Sequence, residues 1–273
     1  MKFAYCGYDF FESVFDAVVR ENHELVELFT WPCDNQYDFN TRLISKGEEI
    51  GSRITLSPIS IDDLSRLRDK GVELLISAAY PYKIPPWNSY LRYAVNFHPT
   101  LLPHGRGPWP LPWTILKGLK ESGVTVHEVS EDWDAGAILL QESFPVCATE
   151  NLETLSAKCQ MLAAEMSGVI FRNIDRFWSN RAEQRGGSYW PMPRSEEREL
   201  NWKEPVRDLD KVIRAFGKFD SHARIGKNLK YVQYATVWEA DHCYKPGTVV
   251  HRMNKEIIVA ALDGYVCIRD FDE

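Results

Sequence analysis

Short apolar runs alternate with amphipathic segments through the first half of the chain. Strands are predicted where most positions are apolar, at 2–8, 24–31, 72–80 and 93–97. Helices are predicted between them by their spacing, at 10–21, 40–51 and 61–71. Repeated strand–helix–strand units favour a parallel sheet with right-handed crossovers. The pattern therefore predicts an α/β fold whose N-terminal part is a Rossmann-like parallel sheet with helices on both faces.

Two polar residues are predicted to cap helices. Asp9, with Glu12 three residues later, has the spacing of an N-cap for the first helix. Ser60 with Asp63 has the same spacing before the helix at 61–71. Further along, 123–130 and 137–146 are predicted strands, and 152–178 is a predicted long helix with an apolar face.

The composition changes after residue 180. Residues 181–203 are polar and rich in Gly, Pro and Arg, which predicts a linker. A helix near 208–219 and several short strands follow. We therefore predict an N-terminal domain at 1–180, a linker at 181–203 and a small β-rich C-terminal domain at 204–273.

Charge and cysteine usage restrict the function classes. The net charge is −7, which argues against general nucleic-acid binding because phosphates require a basic surface. The six cysteines are scattered and form no C-x-x-C pair, which favours reduced thiols in a cytoplasmic protein without a metal site. The N-terminus has the pattern of a strand rather than of a signal segment, and we expect no membrane span.

Three polar residues could share one site. Asn96 and His98 lie two apart at the end of a predicted strand, so both side chains point to the same face. Asp134 lies in the turn DWDAGA, where Gly136 permits a tight bend. An amide donor, an imidazole and a carboxylate suit attack of an amine on an acyl carbon. Taken singly, a histidine in the place of His98 is more often structural, and an aspartate in the place of Asp134 is more often a turn former.

The ordered motifs are more specific than the single residues. N-x-H-x-T-L-L-P-x-x-R-G, followed by G-V-T-x-H and D-A-G, resembles the 10-formyltetrahydrofolate-dependent formyltransferase superfamily. That superfamily includes glycinamide ribonucleotide, methionyl-tRNA and nucleotide-sugar formyltransferases. The resemblance extends over residues 2–178 and continues more weakly beyond. It implies that residues 1–180 are the formyltransferase catalytic domain and that the small C-terminal domain at 204–273 is OB-like.

The resemblance implies roles for particular residues. Asn96, His98 and Asp134 would be catalytic. The co-substrate 10-formyltetrahydrofolate would lie against Ala79, Tyr80, Tyr82, Ile84, Leu102, Ser130, Trp133 and Gly136. This chain departs from the family at Thr100, where Ser is usual, and at Gly105, where an aromatic residue is frequent.

Length and charge favour a small acceptor over RNA. The chain exceeds a glycinamide ribonucleotide enzyme by some 90 residues, and its negative charge suits initiator tRNA poorly. We therefore expect a UDP- or dTDP-linked 4-amino sugar, as in enzymes of the pseudaminic-acid pathway. Candidate acceptor residues are Tyr8, Phe10, Lys83, Thr100, His104, Arg106 and Trp109, with Arg224 and Lys227 as further cations.

Other functions stay open at this point. The alternatives are a methionyl-tRNA formyltransferase, a hydrolase that releases formate from the same folate, and a non-catalytic folate- or nucleotide-binding module. The β-rich tail could also form the surface of a homodimer.

Overall fold

The computed structural model describes residues 1–34, 38–217, 219, 221–253 and 256–269. It divides into two compact units. The first contains residues 1–110, 121–145 and 156–190, and the second contains residues 111–120, 146–155 and the described part of 191–273.

The strands of the first unit are β1 (Lys2–Gly7), β2 (Glu24–Phe29), β3 (Arg53–Thr55), β4 (Val72–Ala78), β5 (Tyr93–His98), β6 (His104–Arg106), β7 (Glu121–Glu128), β8 (Ile138–Pro145) and β9 (Ser188–Tyr189). The helices up to residue 179 are α1 (Glu12–Arg20), α2 (Thr41–Ile50), α3 (Ile61–Asp69), α4 (Pro110–Leu116), α5 (Leu152–Arg172) and α6 (Ile174–Ser179). α4 and α5 each contribute residues to both units.

Seven strands form one sheet in the order β3-β2-β1-β4-β5-β7-β8. The first five are parallel, and nearly every residue of β1 and β4 is buried, as in a sheet covered on both faces. The predicted α/β class is confirmed. β7 differs from the expected parallel arrangement because it pairs antiparallel with both β5 and β8. The loop that contains Asp134 joins β7 directly to β8.

The order of the strands reverses between β1 and β4. The chain builds outward from β1 to β3 and then returns to add β4 and β5 on the other side. Ligands of open α/β sheets bind beyond the carboxyl ends of the strands at such a reversal. The segments after Gly7 and Ala78, which pair with each other, are therefore placed to line a site.

One of the two predicted helix caps is confirmed. Ser60 and Asp63 form a reciprocal capping box at the start of α3. The expectation for Asp9 was wrong. Asp9 begins a 3₁₀ turn, and its carboxylate accepts the N–H groups of Arg42 (3.2 Å) and Leu43 (3.0 Å). It therefore caps the start of α2, which is distant in sequence, instead of α1.

The predicted linker contains ordered structure. Ala182 exchanges two backbone hydrogen bonds with Ile138 at the start of β8, and β9 pairs in parallel with β6. Residues up to 190 belong to the first unit. The polar composition of this segment therefore reflects contacts with the loops of that unit, and the domain boundaries near 180 and 203 stay predictions.

The second unit is rich in strands, as expected. Its elements are α7 (Ser195–Arg198), α8 (Val206–Phe216), β10 (His222–Ile225), β11 (Asn228–Tyr231), β12 (Tyr234–Glu239), β13 (Val249–Met253), β14 (Glu256–Ala260) and β15 (Gly264–Arg269). The last four strands form an antiparallel sheet in the order β12-β15-β14-β13. Its inner face buries Ile257, Val259, Val266 and Ile268 in one core with residues of α8.

In the described part of the chain, no helix has both the length and the apolar character needed to span a membrane.

Candidate active site

The end of β5 places Asn96 and His98 on one face, as their spacing predicted. β5 lies between β4 and β7, and Asn96 is paired with His127 in the neighbouring strand. His98 is buried, and its Nε2–H donates to the carbonyl oxygen of Gly105 at 2.7 Å. Because a carbonyl can only accept, the proton of a neutral His98 is on Nε2 and its lone pair is on Nδ1.

Asp134 joins these two residues from the loop between β7 and β8. Its Oδ1 lies 3.4 Å from Nδ1 of His98 and 3.4 Å from Nδ2 of Asn96. Its Oδ2 accepts the backbone N–H of Gly107 at 2.9 Å. Asp134 has a φ of +53°, a left-handed conformation that aspartate tolerates better than most residues. The structure therefore brings the three predicted catalytic side chains together.

His127 belongs to the same cluster and was absent from the predicted site. Its Nδ1–H donates to the carbonyl oxygen of Glu128 at 2.8 Å. Its Nε2 therefore carries a lone pair and accepts a hydrogen bond from the Asn96 amide N–H at 3.0 Å. This contact orients the Asn96 amide. The sequence contained the signal, because His127 is the histidine of the G-V-T-x-H motif. We call Asn96, His98, His127 and Asp134 the catalytic floor, after the role that the resemblance implies for Asn96, His98 and Asp134.

The catalytic floor shifts the pKa values of two of its members. Burial lowers the pKa of His98 below its usual 6.5 and His127 acts in the same direction, although Asp134 and the bond to Gly105 oppose them. Burial alone would raise the pKa of Asp134, but the two neighbouring histidines and the Gly107 N–H lower it to about 2. At neutral pH the site therefore holds a neutral His98 beside an ionised Asp134.

The loop after β5 surrounds His98. Leu102 is buried and precedes a cis peptide bond to Pro103, and its carbonyl oxygen accepts the amide of Gln141 at 2.7 Å. Thr100 is buried, and its hydroxyl donates to the carbonyl oxygen of His104 at 3.0 Å. The hydroxyl of Thr100 thus braces this loop, and its contact with an acceptor stays a prediction.

Gly105 explains the missing aromatic residue of the family pattern. Its φ is +77°, and a Cβ at this position would lie 2.8 Å from the indole ring of Trp190 and 2.9 Å from Thr100. Trp190 therefore packs directly over this position. An aromatic side chain from a distant part of the sequence covers the loop where the family often has one at position 105.

Two tyrosines expected to contact folate and two aromatic residues expected on the acceptor rim form one aromatic cluster. Tyr80 and Tyr82 follow β4, while Tyr8 and Phe10 follow β1, and the two pairs meet at Trp31 after β2. Ring centroids lie 5.0 Å apart for Tyr8 and Trp31, and 6.4 Å apart for Trp31 and Tyr82. Sequence reasoning missed Trp31.

Members of this cluster are not equally accessible. Tyr80 is buried, and its hydroxyl accepts the N–H of Ile59 at 3.0 Å, so it mainly packs in the core. Tyr82 and Ile84 are half-buried against the same core. Ala79 has a φ of +57°, which turns the chain sharply between β4 and this cluster. The cluster lies at the reversal of strand order and suits an aromatic ligand.

The loop of Asp134 holds the other predicted folate contacts. Ser130 donates to the carbonyl oxygen of Asp132 at 2.8 Å and closes the loop. Trp133 is exposed, and the ammonium group of Lys83 lies 5.8 Å from the centre of its ring and 3.1 Å from the carbonyl oxygen of Glu131. A Cβ on Gly136 would overlap the carbonyl oxygen of Glu128, so only glycine fits there.

A cleft of about 330 Å³ opens beside this loop. It is lined by Arg106, Asp132, Trp133, Ala135, Gly187, Ser188 and Tyr189. Trp133 and Tyr189 are 44% and 57% exposed. Arg106 bonds to the Gln184 amide oxygen, and no described carboxylate pairs with it. We call Arg106, Trp133 and Tyr189 the cleft wall.

Several other predicted acceptor residues lie outside the cleft wall. His104 is exposed on β6, and Trp109 is half-buried just before α4. Arg224 and Lys227 belong to the hairpin of β10 and β11 in the second unit, where Arg224 pairs with Glu199 at 3.5 Å. Tyr189 and Gln184 were missed, because they lie in the segment predicted as a linker.

Known proteins resemble the chain along most of its length. A formyl transferase model matches residues 61–169 and a formyl transferase C-terminal domain model matches residues 194–273, together more than half of the chain. A methionyl-tRNA formyltransferase from Hahella chejuensis is 25% identical over 271 residues, covering 95% of this chain and 85% of that protein.

Solved structures share the fold. An N-formyltransferase from Helicobacter canadensis, crystallised with folinic acid and dTDP-3-aminofucose, has a TM-score of 0.73 at 16% identity and covers 99% of both chains. HypX from Aquifex aeolicus has a TM-score of 0.74 at 20% identity. All of this chain is covered in that match but only 44% of HypX, so the chain spans less than half of that protein.

The two domain models match in the order found along the chain, and the residues of the ordered motifs meet in one cluster at the end of the sheet. On this evidence, the chain belongs to the folate-dependent formyltransferase superfamily.

Proposed function

We propose that this enzyme transfers the formyl group of 10-formyltetrahydrofolate to the amine of a nucleotide-linked amino sugar, such as a UDP- or dTDP-4-amino sugar. The observation that carries the choice of acceptor is the cleft wall beside Asp134. It offers a guanidinium group without a carboxylate partner in the described chain, in the same cleft as two exposed aromatic rings. A diphosphate needs a cation, and a nucleobase suits an aromatic ring. The proposal thereby assigns Trp133, which the resemblance placed against the folate, to the acceptor site.

The aromatic cluster at the strand reversal suits the pterin of the folate. Trp31 and Tyr82 offer ring surface there, and apolar walls with few polar groups are typical of small-molecule sites. The formyl carbon would then lie near Asn96 and His98. The amine attacks this carbon, a C–N bond forms, and the formyl oxygen becomes an oxyanion.

Asn96 is the oxyanion donor in this mechanism. Its amide is held by His127 at 3.0 Å, whereas its contact with Asp134 is longer, at 3.4 Å. The longer contact is the one that an oxyanion can replace. A donor fixed in advance stabilises the developing charge without a reorganisation cost during the reaction.

His98 accepts the proton that the attacking amine must lose. Its Nε2 proton is engaged by Gly105, its Nδ1 lone pair is available, and its lowered pKa keeps the ring neutral at pH 7. Once protonated, the ring lies 3.4 Å from the Asp134 carboxylate, which stabilises the imidazolium. When the intermediate collapses, the bond between the formyl carbon and the folate nitrogen breaks, and this proton can be passed to that nitrogen.

Charge supports a sugar nucleotide over a tRNA. Residues 191–273 contain 14 Lys and Arg against 14 Asp and Glu, so the C-terminal region adds no net positive charge to the overall −7. RNA binding needs neutralisation of phosphates. The Helicobacter canadensis enzyme, whose crystals contain a dTDP-amino sugar, also matches along its whole length. Formylation of initiator methionyl-tRNA is the second candidate, favoured by the Hahella chejuensis relative.

The proposal is tested by offering the protein 10-formyltetrahydrofolate with a panel of UDP- and dTDP-amino sugars, and separately with initiator methionyl-tRNA. We expect one sugar nucleotide to gain the mass of one formyl group, and Asn96→Ala to abolish this gain. Formylation of the tRNA alone would refute the proposed acceptor. Release of formate at the same rate without any amine would instead identify a hydrolase.

A further inference from the structure

Gln184 connects the catalytic floor to the cleft wall. Its Nε2 donates to the carbonyl oxygens of Asp134 at 2.9 Å and Gly136 at 2.7 Å. Its Oε1 accepts from Nε of Arg106 at 3.0 Å and from Nη2 of Arg106 at 2.7 Å. Both ends of this half-buried amide are therefore occupied, one by the loop of a floor residue and the other by a cation of the cleft wall.

The backbone of Asp134 needs such a partner. Its left-handed turn is followed by Gly136, which is packed so tightly against Glu128 that no side chain fits. The Gln184 amide ties the two loop carbonyls together and thereby fixes where the Asp134 carboxylate meets His98 and His127. A misplacement of a catalytic group by about 1 Å can cost on the order of 100-fold in rate.

The other end of Gln184 fixes the plane of the Arg106 guanidinium. Two of its nitrogens share one amide oxygen, which is neutral and leaves the positive charge uncompensated within the described residues. The next residue, Gly107, donates its N–H to the Asp134 carboxylate at 2.9 Å. The segment of Arg106 and Gly107 therefore contacts Asp134 in two ways, directly through Gly107 and indirectly through Gln184.

We propose that Gln184 is a positioning residue that couples an anionic group bound at Arg106 to the placement of Asp134. A phosphate on Arg106 would hold the guanidinium, Gln184 and the Asp134 loop in one arrangement, so binding of the correct acceptor organises the catalytic floor. The part concerning the anion rests on the proposed function, because it takes the acceptor to be a nucleotide sugar. The part concerning Asp134 requires only that the enzyme transfers formyl groups.

The test is a double-mutant cycle with Gln184→Met and Arg106→Met, measuring kcat and the acceptor KM separately. We expect Gln184→Met to lower kcat about 10- to 100-fold and to raise KM. In the Arg106→Met background its effect on kcat should be smaller by the factor that Arg106→Met already loses through Gln184, and its effect on KM should shrink to within about twofold. Gln160→Met serves as the control, because the side chain of Gln160 on α5 makes none of these contacts.

Two results would overturn the proposal. One is a folded Gln184→Met enzyme with kcat and KM within about twofold of the parent protein. The other is a double variant whose rise in KM equals the product of the rises in Gln184→Met and Arg106→Met, because the free energies of independent sites add. Should Gln184→Met fail to fold, Gln184→Glu keeps an acceptor for Arg106 but loses the donor to both carbonyls, and an unchanged kcat in that variant would refute the role.

Failure of the proposed function would be recognised separately. If only initiator methionyl-tRNA is formylated, the sugar-nucleotide acceptor is wrong, and kcat is measured with the tRNA. A 10- to 100-fold loss in Gln184→Met then still supports the positioning of Asp134. An unchanged kcat would exclude it.

Discussion

The catalytic floor and the cleft wall share the loop that carries Trp133 and Asp134 but are built in opposite ways. On the floor, His98 and His127 are buried, and Asn96 and Asp134 are bonded to them and to the backbone. On the wall, Trp133 and Tyr189 are exposed, and Arg106 has a neutral amide in place of a counter-ion. The floor is thus fixed by its own contacts, while the wall keeps two exposed rings and a cation that a ligand could contact.

This difference predicts how variants divide between rate and binding. Floor substitutions should lower kcat, because their interactions strengthen in the transition state. Wall substitutions should raise the acceptor KM, because they contribute binding that is equal in ground and transition states.

The largest effect is expected for Asn96→Ala. Loss of one oxyanion donor costs about 10²–10³ in rate, so kcat should fall by that factor while the fold persists. Steady-state formyl transfer and circular dichroism of the same sample measure both. Asn88→Ala, an exposed asparagine in the connection before β5, is the matched control. Near-normal turnover in Asn96→Ala would show that the reaction does not need Asn96 as an oxyanion donor.

Arg106→Met should act on binding. A charge-assisted hydrogen bond contributes about 1.5–3 kcal/mol, so the acceptor KM should rise about 10- to 100-fold. A smaller fall in kcat is expected through Gln184. Arg185→Met removes the same charge from an exposed residue that follows Gln184 and does not line the cleft, and its KM should stay at the parent value. An equal rise of the acceptor KM in both variants would mean that acceptor binding depends on net charge and not on the position of Arg106.

The Asp134 carboxylate should make stability depend on pH. Its folded pKa of about 2 lies below the usual value of 3.8, so it stabilises the fold above pH 4 and this contribution is lost as the pH falls toward 2. The shift corresponds to roughly 2 kcal/mol. Denaturant melts should therefore show Asp134→Asn less stable at pH 6, with the difference shrinking between pH 4 and 2.

The control for this prediction is Glu183→Gln, an exposed carboxyl of the same unit. It should follow the parent protein throughout the range. An Asp134→Asn difference that stayed constant down to pH 2 would show that the histidines do not hold this carboxylate in its ionised form.

The floor was largely predictable from sequence, whereas Tyr189 of the wall and the Gln184 behind it were not, for a physical reason. Asn96 and His98 share a face because of the two-residue period of a strand, and the ordered motifs indicated Asp134. Gln184 and Tyr189 reach the site only because β9 pairs with β6, more than 80 residues earlier. No local pattern reports such a pairing, and a two-residue strand leaves no periodicity to detect.

Asp9 and Gly105 show the same limit at single residues. The carboxylate of Asp9 had the spacing of a local cap, but it binds backbone N–H groups more than 30 residues later. Gly105 departed from the family pattern, and only the structure shows that Trp190 covers it. In both cases the structural role depends on a residue distant in sequence, α2 for Asp9 and Trp190 for Gly105.

The smallest effect is expected for Tyr189→Ala, and it sharpens the comparison most. If the ring stacks on the acceptor base, its loss costs about 0.5–1.5 kcal/mol and raises the acceptor KM about 2- to 10-fold with kcat unchanged. Tyr189→Phe keeps the ring and should preserve KM, while Tyr234→Ala removes an equally exposed tyrosine from the second unit. A KM that depends on Arg106 but not on Tyr189 would make the wall a phosphate site without a base contact, and the choice of nucleotide would then depend on residues outside it.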